Sequence, residues 1–289
     1  MTTTTTSAAQ GRPKQAGAPS GGSEPHAVGS VGAIDYLLHL ADNAVVLGQR
    51  NAEWCGHGPI LEEDLALANM SLDLIGQARL LYQLVASEKA DGSTEDSLAY
   101  FRGPEDFRNY ALLELPHHAA LVGYAKSDMD YATTIARNFL YSALMALVWE
   151  RLQASANAQL AAIAAKSLKE VRYHLRHSRD WLVRLGDGTP ESHDRVQAAL
   201  DHLMPYTQEF WTASAMEQEA ASTGVGIDMQ SLQADWSGIV TNAVSEATLT
   251  LSPAQGYVTQ GKNRLHTEHL GFLLAEMQSL ARAHPQGSW

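Results

Sequence analysis

The chain has 289 residues, 45% of them hydrophobic, and a formal net charge of −12 at pH 7. This length and apolar content suffice for a well-buried core in one or two domains, and the acidic balance argues against nucleic-acid binding, because phosphates attract basic surfaces. The single cysteine, Cys55, cannot form an internal disulfide, no apolar run approaches the ~20 residues of a membrane span, and no signal-peptide core is present, so we expect a cytoplasmic protein with no membrane association.

Residues 1–30 are rich in Thr, Ser, Gly, Ala and Pro and contain almost no large apolar side chain. Such a segment cannot bury enough surface to offset the entropy of ordering it. We therefore predict a disordered tail over 1–30 and one helical domain over 31–289.

The first long helices follow this tail. Ile34, Leu37, Leu38 and Val45 recur at helical spacing and predict a helix over 34–50. A second helix is predicted over 62–86, which opens with three acidic residues that suit a helix N-terminus and is apolar on several sides.

The rest of the chain also has helical patterns. A loop with a short helix after Pro104 and a turn around Pro116 precede long helices predicted over 128–153 and 157–185, the second ended by Gly186 and Gly188. Further helices are predicted over 191–203, 205–222, 228–247 and 266–283. Because no strand pattern is visible, the sequence predicts an all-α fold with a helical bundle at its centre and additional C-terminal helices.

One segment raises the question of a metal site. In "SLKEVRYHLRHSRDWL", residues 167–182, Glu170, Tyr173, His174 and His177 fall on one helical stripe. Di-metal sites in four-helix bundles use one Glu from each of two helices and a Glu-x-x-His from each of the other two. Two cations need several anionic oxygens, and each imidazole orients one metal.

The predicted helices do not supply that ligand set. Helix 62–86 offers Asp73, but Gly76 stands where a Glu-x-x-His would place its histidine. Helix 157–185 offers Glu170, but Tyr173 stands at the histidine position and His174 is rotated by about 100° from it.

The other two helices contribute less. Helix 34–50 offers Asp42, and helix 128–153 has no carboxylate between Asp130 and Glu150. We therefore predict no metal ligand and no catalytic residue, but a polar core layer at the vestigial di-metal position, made of Asp42, Asn69, Asp73, Gln77, Asn138, Glu170, Tyr173 and His174.

The bonding within this layer has two interpretations. Glu170 has basic neighbours in Arg172, Arg176 and Lys166 and can form a salt bridge, whereas His174 and His177 can hydrogen-bond across to Asp73 or Gln77. Polar contacts of this kind can fix helix register without any chemistry.

Two other histidine motifs resemble metal ligands. Glu114-x-x-His117 contains Pro116, which disrupts a helix interior, so a turn with solvated histidines is expected there. His266 and His269 share a helix face, and for them we prefer helix capping and polar interface contacts to metal binding.

Three segments together indicate a family. "VLGQRNAEWCGHGPILEEDLALANMSLDLIGQARLL" (46–81), "AAIAAKSLKEVRYHLRHSRDWLVRLGDGT" (161–189) and "LHTEHLGFLLAEMQSLARAHP" (265–285) resemble, in the same order, the C subunits of the multicomponent phenylacetyl-CoA epoxidases, the ring-1,2-epoxidases of phenylacetate degradation. The similarity runs from about residue 34 to Trp289.

This resemblance implies a ferritin-like fold and a non-catalytic structural role. Proteins of this family pair with a homologous catalytic A subunit that carries the di-iron centre. A reductase with flavin (FAD) and iron–sulfur groups delivers electrons from NADPH, and a small subunit bridges the parts. No cofactor is expected in the present chain.

Two other functions remain open from the sequence. One is an active di-metal oxygenase or hydroxylase of ferritin-like fold. The other is a protein that binds or hydrolyses a CoA ester, motivated by "QGKNRLH" (260–266), where Lys262 and Arg264 precede a helix N-terminus that could meet a phosphate.

Overall fold

The computed structural model describes residues 1–4, 31–118, 129–254, 256 and 258–287. The described residues form eleven α-helices and a few short 3-10 turns, and no β-strand occurs among them. The all-α prediction is confirmed. Most of the tail predicted over 1–30 lies outside the described residues, as does the segment 119–128.

Four long helices form the centre of the fold: α1 (Val31–Ala52), α2 (Leu61–Lys89), α5 (Tyr131–Leu152) and α6 (Ala158–Gly186). α1 packs along α2 and α5 packs along α6, each pair joined by a short connection. One long crossover, residues 90–130, joins the two hairpins. This is the ferritin-like arrangement.

Shorter helices surround this bundle. α7 packs on α5 and α6, α9 on α1, α10 on α5 and α6, and α11 on the crossover. Their bounds, with the two short crossover helices, are α3 (Glu95–Tyr100), α4 (Ala111–Glu114), α7 (Pro190–Leu203), α8 (Gln208–Trp211), α9 (Ala215–Ser222), α10 (Gln233–Glu246) and α11 (Glu268–Ala283).

Helix α1 is buried over most of its length. By length and composition it is apolar enough to cross a membrane, contrary to the expectation from the sequence. However, 78% of its most apolar window is buried inside the molecule, against α2, α9 and the crossover. A helix that is apolar on most sides is expected in such a central position.

The long helices of the second hairpin begin at side chains that cap them. Asp130 accepts a hydrogen bond from the amide of Ala132 at the start of α5, and Asn157 accepts from the amides of Gln159 and Leu160 at the start of α6. These caps satisfy amides that have no partner within the helix. They place the starts of α5 and α6 within three residues of the predicted positions.

The predicted helix over 205–222 is wrong in its continuity. The backbone leaves the helical conformation at Thr212, which has φ −91° and ψ 97°. Ser214 then begins α9 with a capping box, in which its hydroxyl accepts from the amide of Glu217 and the Glu217 carboxylate accepts from the amide of Ser214. The predicted helix over 228–247 similarly opens with a 3-10 turn, Met229–Leu232, before α10.

One glycine permits a close contact between elements at the end of the bundle. A Cβ atom on Gly186, the last residue of α6, would lie 2.3 Å from the carbonyl oxygen of Ala247, just after α10. That separation is far inside van der Waals contact, so the end of α6 can pack against the end of α10 only because no side chain is present.

Candidate functional site

The contact between α2 and α6 contains four of the eight residues predicted to form the polar layer. The Nε2 atom of His174 lies 3.0 Å from Oδ2 of Asp73, and the amide of Gln77 donates to Glu170 Oε2 over 2.9 Å. Residues 73 and 77 of α2 thus face residues 174 and 170 of α6 in antiparallel register. We call these two pairs the α2–α6 seam.

Glu170 does not take the salt-bridge role that was one of its two interpretations. Its hydrogen bond comes from Gln77, while Arg172 pairs instead with Glu150 at 3.4 Å. The seam is therefore a set of directed hydrogen bonds between two helices, which fixes their register.

Two of the predicted layer residues lie on the surface instead of in the core. Tyr173 is 41% exposed, and Asn69 is also exposed. Both lie on the outer sides of the helices that form the seam. The prediction that these two residues belong to a buried layer is therefore wrong.

A second α2–α6 contact lies nearer the start of α2. Glu63 accepts hydrogen bonds from the phenol of Tyr131 and from Nε2 of His177, the latter at 2.8 Å. The expected bond across to α2 is confirmed for His174, whose partner is Asp73. For His177 the expected partners, Asp73 or Gln77, are wrong, because it bonds to Glu63.

Asp42 lies apart from the seam, in a cluster of its own on α1. Its carboxylate is fully buried and accepts hydrogen bonds from the guanidinium of Arg102, from the Tyr82 hydroxyl at 2.6 Å and from the Arg108 amide at 2.8 Å. Burial, together with the adjacent Asp42 charge, raises the pKa of Tyr82. This carboxylate of α1 thus binds the crossover, through Arg102 and Arg108, and α2, through Tyr82.

Asn138 likewise has a separate partner. It exchanges two hydrogen bonds with Asn51 of α1, at 2.9 and 3.0 Å, and both residues are buried. This amide pair joins the last turn of α1 to α5. The eight predicted residues therefore occupy three clusters and the surface, not one layer.

Next to the amide pair lies a buried basic cluster that the sequence did not predict. Arg137 of α5 is fully buried and donates to the carbonyls of Leu115 and Pro116 and to Nδ1 of His117, the last at 2.9 Å. The indole of Trp54 donates to Thr134 over 2.9 Å beside them. The sequence signal for this cluster is a lone charge in the middle of an otherwise apolar helix.

His117 is buried, so the expected solvated histidine is wrong at this position. It is 3% exposed, and its Nε2 atom donates to the carbonyl of Arg50 over 2.8 Å. Burial lowers the pKa of His117 to about 4, and burial lowers that of Arg137 to about 9. His117 is therefore neutral near pH 7, and its contact with Glu53 at 3.1 Å is a hydrogen bond and not an ion pair.

The segment 266–269 caps a helix, as the sequence analysis prefers. The Thr267 hydroxyl accepts from the amide of His269 at the start of α11, and the fully buried Glu114 accepts from the amide and hydroxyl of Thr267. His266 bonds the same carboxylate. Burial opposes the charged form of His266, but the hydrogen bond and charge of Glu114 outweigh it and raise its pKa.

Lys262, on which the CoA-ester hypothesis mainly rests, is buried and already paired. Lys262 is 1% exposed, and its ammonium lies 2.7 Å from the buried carboxylate of Glu217. Its amide donates to Glu209, which also accepts from the amide of Ala111. A lysine held in this way cannot reach a phosphate in solvent.

The donor set of the four long helices does not fit a di-metal centre. In the described part of the chain, no three His, Cys, Asp or Glu side chains are grouped so that they could hold a metal ion. Asp42 is bonded to Arg102, Glu63 to His177, and α5 presents the amide of Asn138. No metal chemistry follows from this arrangement of side chains.

Comparison with known proteins agrees with the similarity seen in the three sequence segments. The model of the family described as phenylacetic acid catabolic protein matches residues 23–289. The C subunit of the 1,2-phenylacetyl-CoA epoxidase of Escherichia coli (strain K12) is 44% identical over 254 residues, which cover 88% of this chain and 98% of that protein.

The Asp42 cluster generates a stability prediction. Asp42→Asn removes the carboxylate that pairs with the nearly buried Arg102, so we expect a loss of about 3–5 kcal/mol in the free energy of unfolding, the usual cost of breaking a buried ion pair from one side. Urea unfolding followed by circular dichroism measures it. Asp35→Asn, which removes the partly exposed partner of Arg108 on the same helix, is the control and should cost about 1 kcal/mol or less. Equal losses in the two variants would contradict this account of the cluster.

The neutral His117 generates a pH prediction. The unfolded chain takes up a proton at this residue below pH 6.5, whereas the folded chain does so only near pH 4. The stability contributed by His117 is therefore present above pH 6.5 and is lost as the pH falls towards 4, by about 3 kcal/mol in total.

His117→Gln cannot take up this proton. Its unfolding free energy, measured at several pH values between 7 and 4.5, should start lower but fall less steeply than that of the unsubstituted chain. His57→Gln, at an exposed histidine, should retain the original slope. A slope unchanged in His117→Gln would show that the His117 imidazole is not held neutral.

Proposed function

The chain belongs to the phenylacetic acid catabolic protein family, and on that basis we propose that it is the non-catalytic structural subunit of a phenylacetyl-CoA 1,2-epoxidase complex in aerobic phenylacetate catabolism. Its partner is a homologous catalytic subunit that carries a di-iron centre. A small bridging subunit and an NADPH-dependent reductase with FAD and iron–sulfur groups complete the complex, which acts in the cytoplasm. The present chain binds no cofactor of its own.

The observation that carries the non-catalytic part of this proposal is the buried amide pair between the last turn of α1 and α5. Asn51 and Asn138 satisfy each other across α1 and α5 with two hydrogen bonds. An amide carries no negative charge to balance a ferric or ferrous ion, and these two amides already use each other as partners. Three other buried charged groups also have partners. Asp42 accepts from Arg102, Glu63 accepts from His177, and Arg137 donates to backbone carbonyls.

A rigid bundle without its own centre has a physical role beside a catalytic homologue. A metal site needs ligands held within about 0.5 Å of the productive geometry, and side chains on packed helices hold that geometry better than side chains on loops. The seam and the Asp42 cluster fix the register of α1, α2 and α6 in the present chain. A neighbour that packs on these helices gains a surface of defined shape.

Assembly tests this role directly. Size-exclusion chromatography with light scattering, applied to the chain, the catalytic subunit and their mixture, should give a hetero-oligomer for the mixture. Each chain should melt at a higher temperature in the mixture, because a partner that binds only the folded state stabilises it by mass action. Independent elution at micromolar concentration, with full turnover by the catalytic subunit alone, would refute the structural role.

Metal content tests the non-catalytic part of the proposal. We expect well below two irons per chain when the protein is purified alone after expression with added iron. The reason is that Asp42 and Glu63 are bonded to other side chains and α5 presents the amide of Asn138 instead of the carboxylate that a di-iron site needs. The catalytic subunit, expressed and analysed in parallel, is the positive control. Two tightly held irons per chain would instead favour an active di-metal oxygenase.

A further inference from the structure

The outward side of α2 has an apolar stripe that nothing in the described chain covers. Leu65 is 55% exposed and Leu72 is 66% exposed, two turns further along the same face. Leu61, at 71%, extends the stripe to the start of the helix, and Ile75, at 40%, lies beside it. Single exposed leucines are ordinary, but four exposed apolar residues along one side of a helix are typical of interaction sites.

The outward side of α6 is basic in a strongly acidic chain. Six basic residues against two acidic ones give α6 a net charge of +4, while the whole chain carries −12. Lys166 and Lys169 are exposed, and within the described residues neither has a carboxylate within 4 Å. Arg176 lies over the ring of the exposed Tyr173, 5.7 Å from its centroid.

These two sides form one surface. The seam places residues 73 and 77 of α2 against residues 174 and 170 of α6, so the next positions outward on the two helices are neighbours. We call this surface the α2–α6 outer face; it consists of Leu65, Asn69, Leu72 and Gly76 from α2 with Lys166, Lys169, Tyr173 and Arg176 from α6. Its centre is apolar and aromatic, and one rim is positively charged.

Gly76 is the second, independent feature of this face. It lies inside α2, where glycine is less favourable than alanine, yet a Cβ atom built on it would meet nothing within 4 Å. No contact within the described chain therefore requires glycine at this position. The missing side chain leaves a notch between Leu72 and α6 into which another backbone could approach closely.

We propose that the α2–α6 outer face docks a helical surface of the catalytic subunit whose apolar stripe is flanked by Asp and Glu side chains. This inference rests on the proposed function and adds to it the face and the chemistry of the partner. The apolar stripe supplies buried area, the basic rim selects an acidic partner, and the notch at Gly76 admits a helix backbone at short distance.

Two other occupants fit the charges less well. A second copy docked face to face would bring two basic rims into one interface, and like charges there are costly. An anionic membrane would attract the rim but would repel the remainder of the chain, which carries a large excess of negative charge.

Replacement of Gly76 separates docking from folding. Gly76→Ala should raise the melting temperature of the chain alone by about 2–3 °C, because alanine is the better helix residue. The same change should weaken assembly with the catalytic subunit at least tenfold, since a methyl group fills the notch. Gly238→Ala, at an exposed position of α10 with equally open space around its Cβ atom, is the matched control and should stabilise the chain without weakening assembly.

Charge reversal tests the rim. The double variant Lys166→Glu, Lys169→Glu should raise the dissociation constant at least tenfold and reduce its dependence on salt concentration, because screened charge pairs contribute to assembly. Arg151→Glu, an exposed reversal at the end of α5, should change the constant less than twofold. Dissociation constants are measured by isothermal titration at two salt concentrations.

The outcomes distinguish this inference from the proposed function. If the unsubstituted chain does not bind the catalytic subunit, both are wrong. If it binds, and Gly76→Ala and the double reversal bind equally well, only the assignment of the face is wrong. Self-association, or co-sedimentation with phosphatidylglycerol vesicles, that is abolished by the same variants would also overturn it, by assigning the face to another occupant.

Discussion

The polar edge of α1 is the feature on which the rest of the structure depends. His39 donates to the carbonyl of Arg108, Asp42 accepts from the Arg108 amide, and Asn43 accepts from the amide of Tyr110. Near the other end of the helix, Arg50 donates to the carbonyl of Glu114. Buried backbone groups outside regular structure need partners, and one face of α1 provides them for the crossover.

The same requirement then extends from the crossover to the C-terminal region. The fully buried carboxylate of Glu114 holds the start of α11 through Thr267, and Glu209 bonds the amides of Ala111 and Lys262. Burial raises the pKa of Glu209, which is the cost of placing a carboxyl group there. The shorter helices are thus bound to the bundle by buried, directed hydrogen bonds, and the charged groups in the interior are occupied in maintaining the fold.

Sequence patterns predicted the fold more fully than the site. Apolar spacing located all four long helices within about three residues of their ends, because burial of one helix face imposes that spacing. Helical spacing gives the relative angles of residues on one helix but not the rotation of that helix in the bundle. Asn69 and Tyr173 were therefore placed in the core, although a modest rotation of each helix puts them on the surface. His117 was placed in solvent because the sequence does not show that Arg137, distant in the chain, lies beside it.

Four of the polar residues that suggested a vestigial metal centre form the seam, where they fix the register of two helices. A hydrogen bond is directional, so Asp73 with His174 and Gln77 with Glu170 hold α2 and α6 at one register, whereas apolar contacts alone would tolerate sliding. That register determines where Leu72 and Gly76 stand relative to Lys169 and Tyr173. A partner that recognises an apolar stripe and a charged rim together requires this alignment, since a shift of one helical turn is about 5.4 Å. The seam thus supports the proposed docking face, because its hydrogen bonds set the alignment of α2 and α6 on which that face depends.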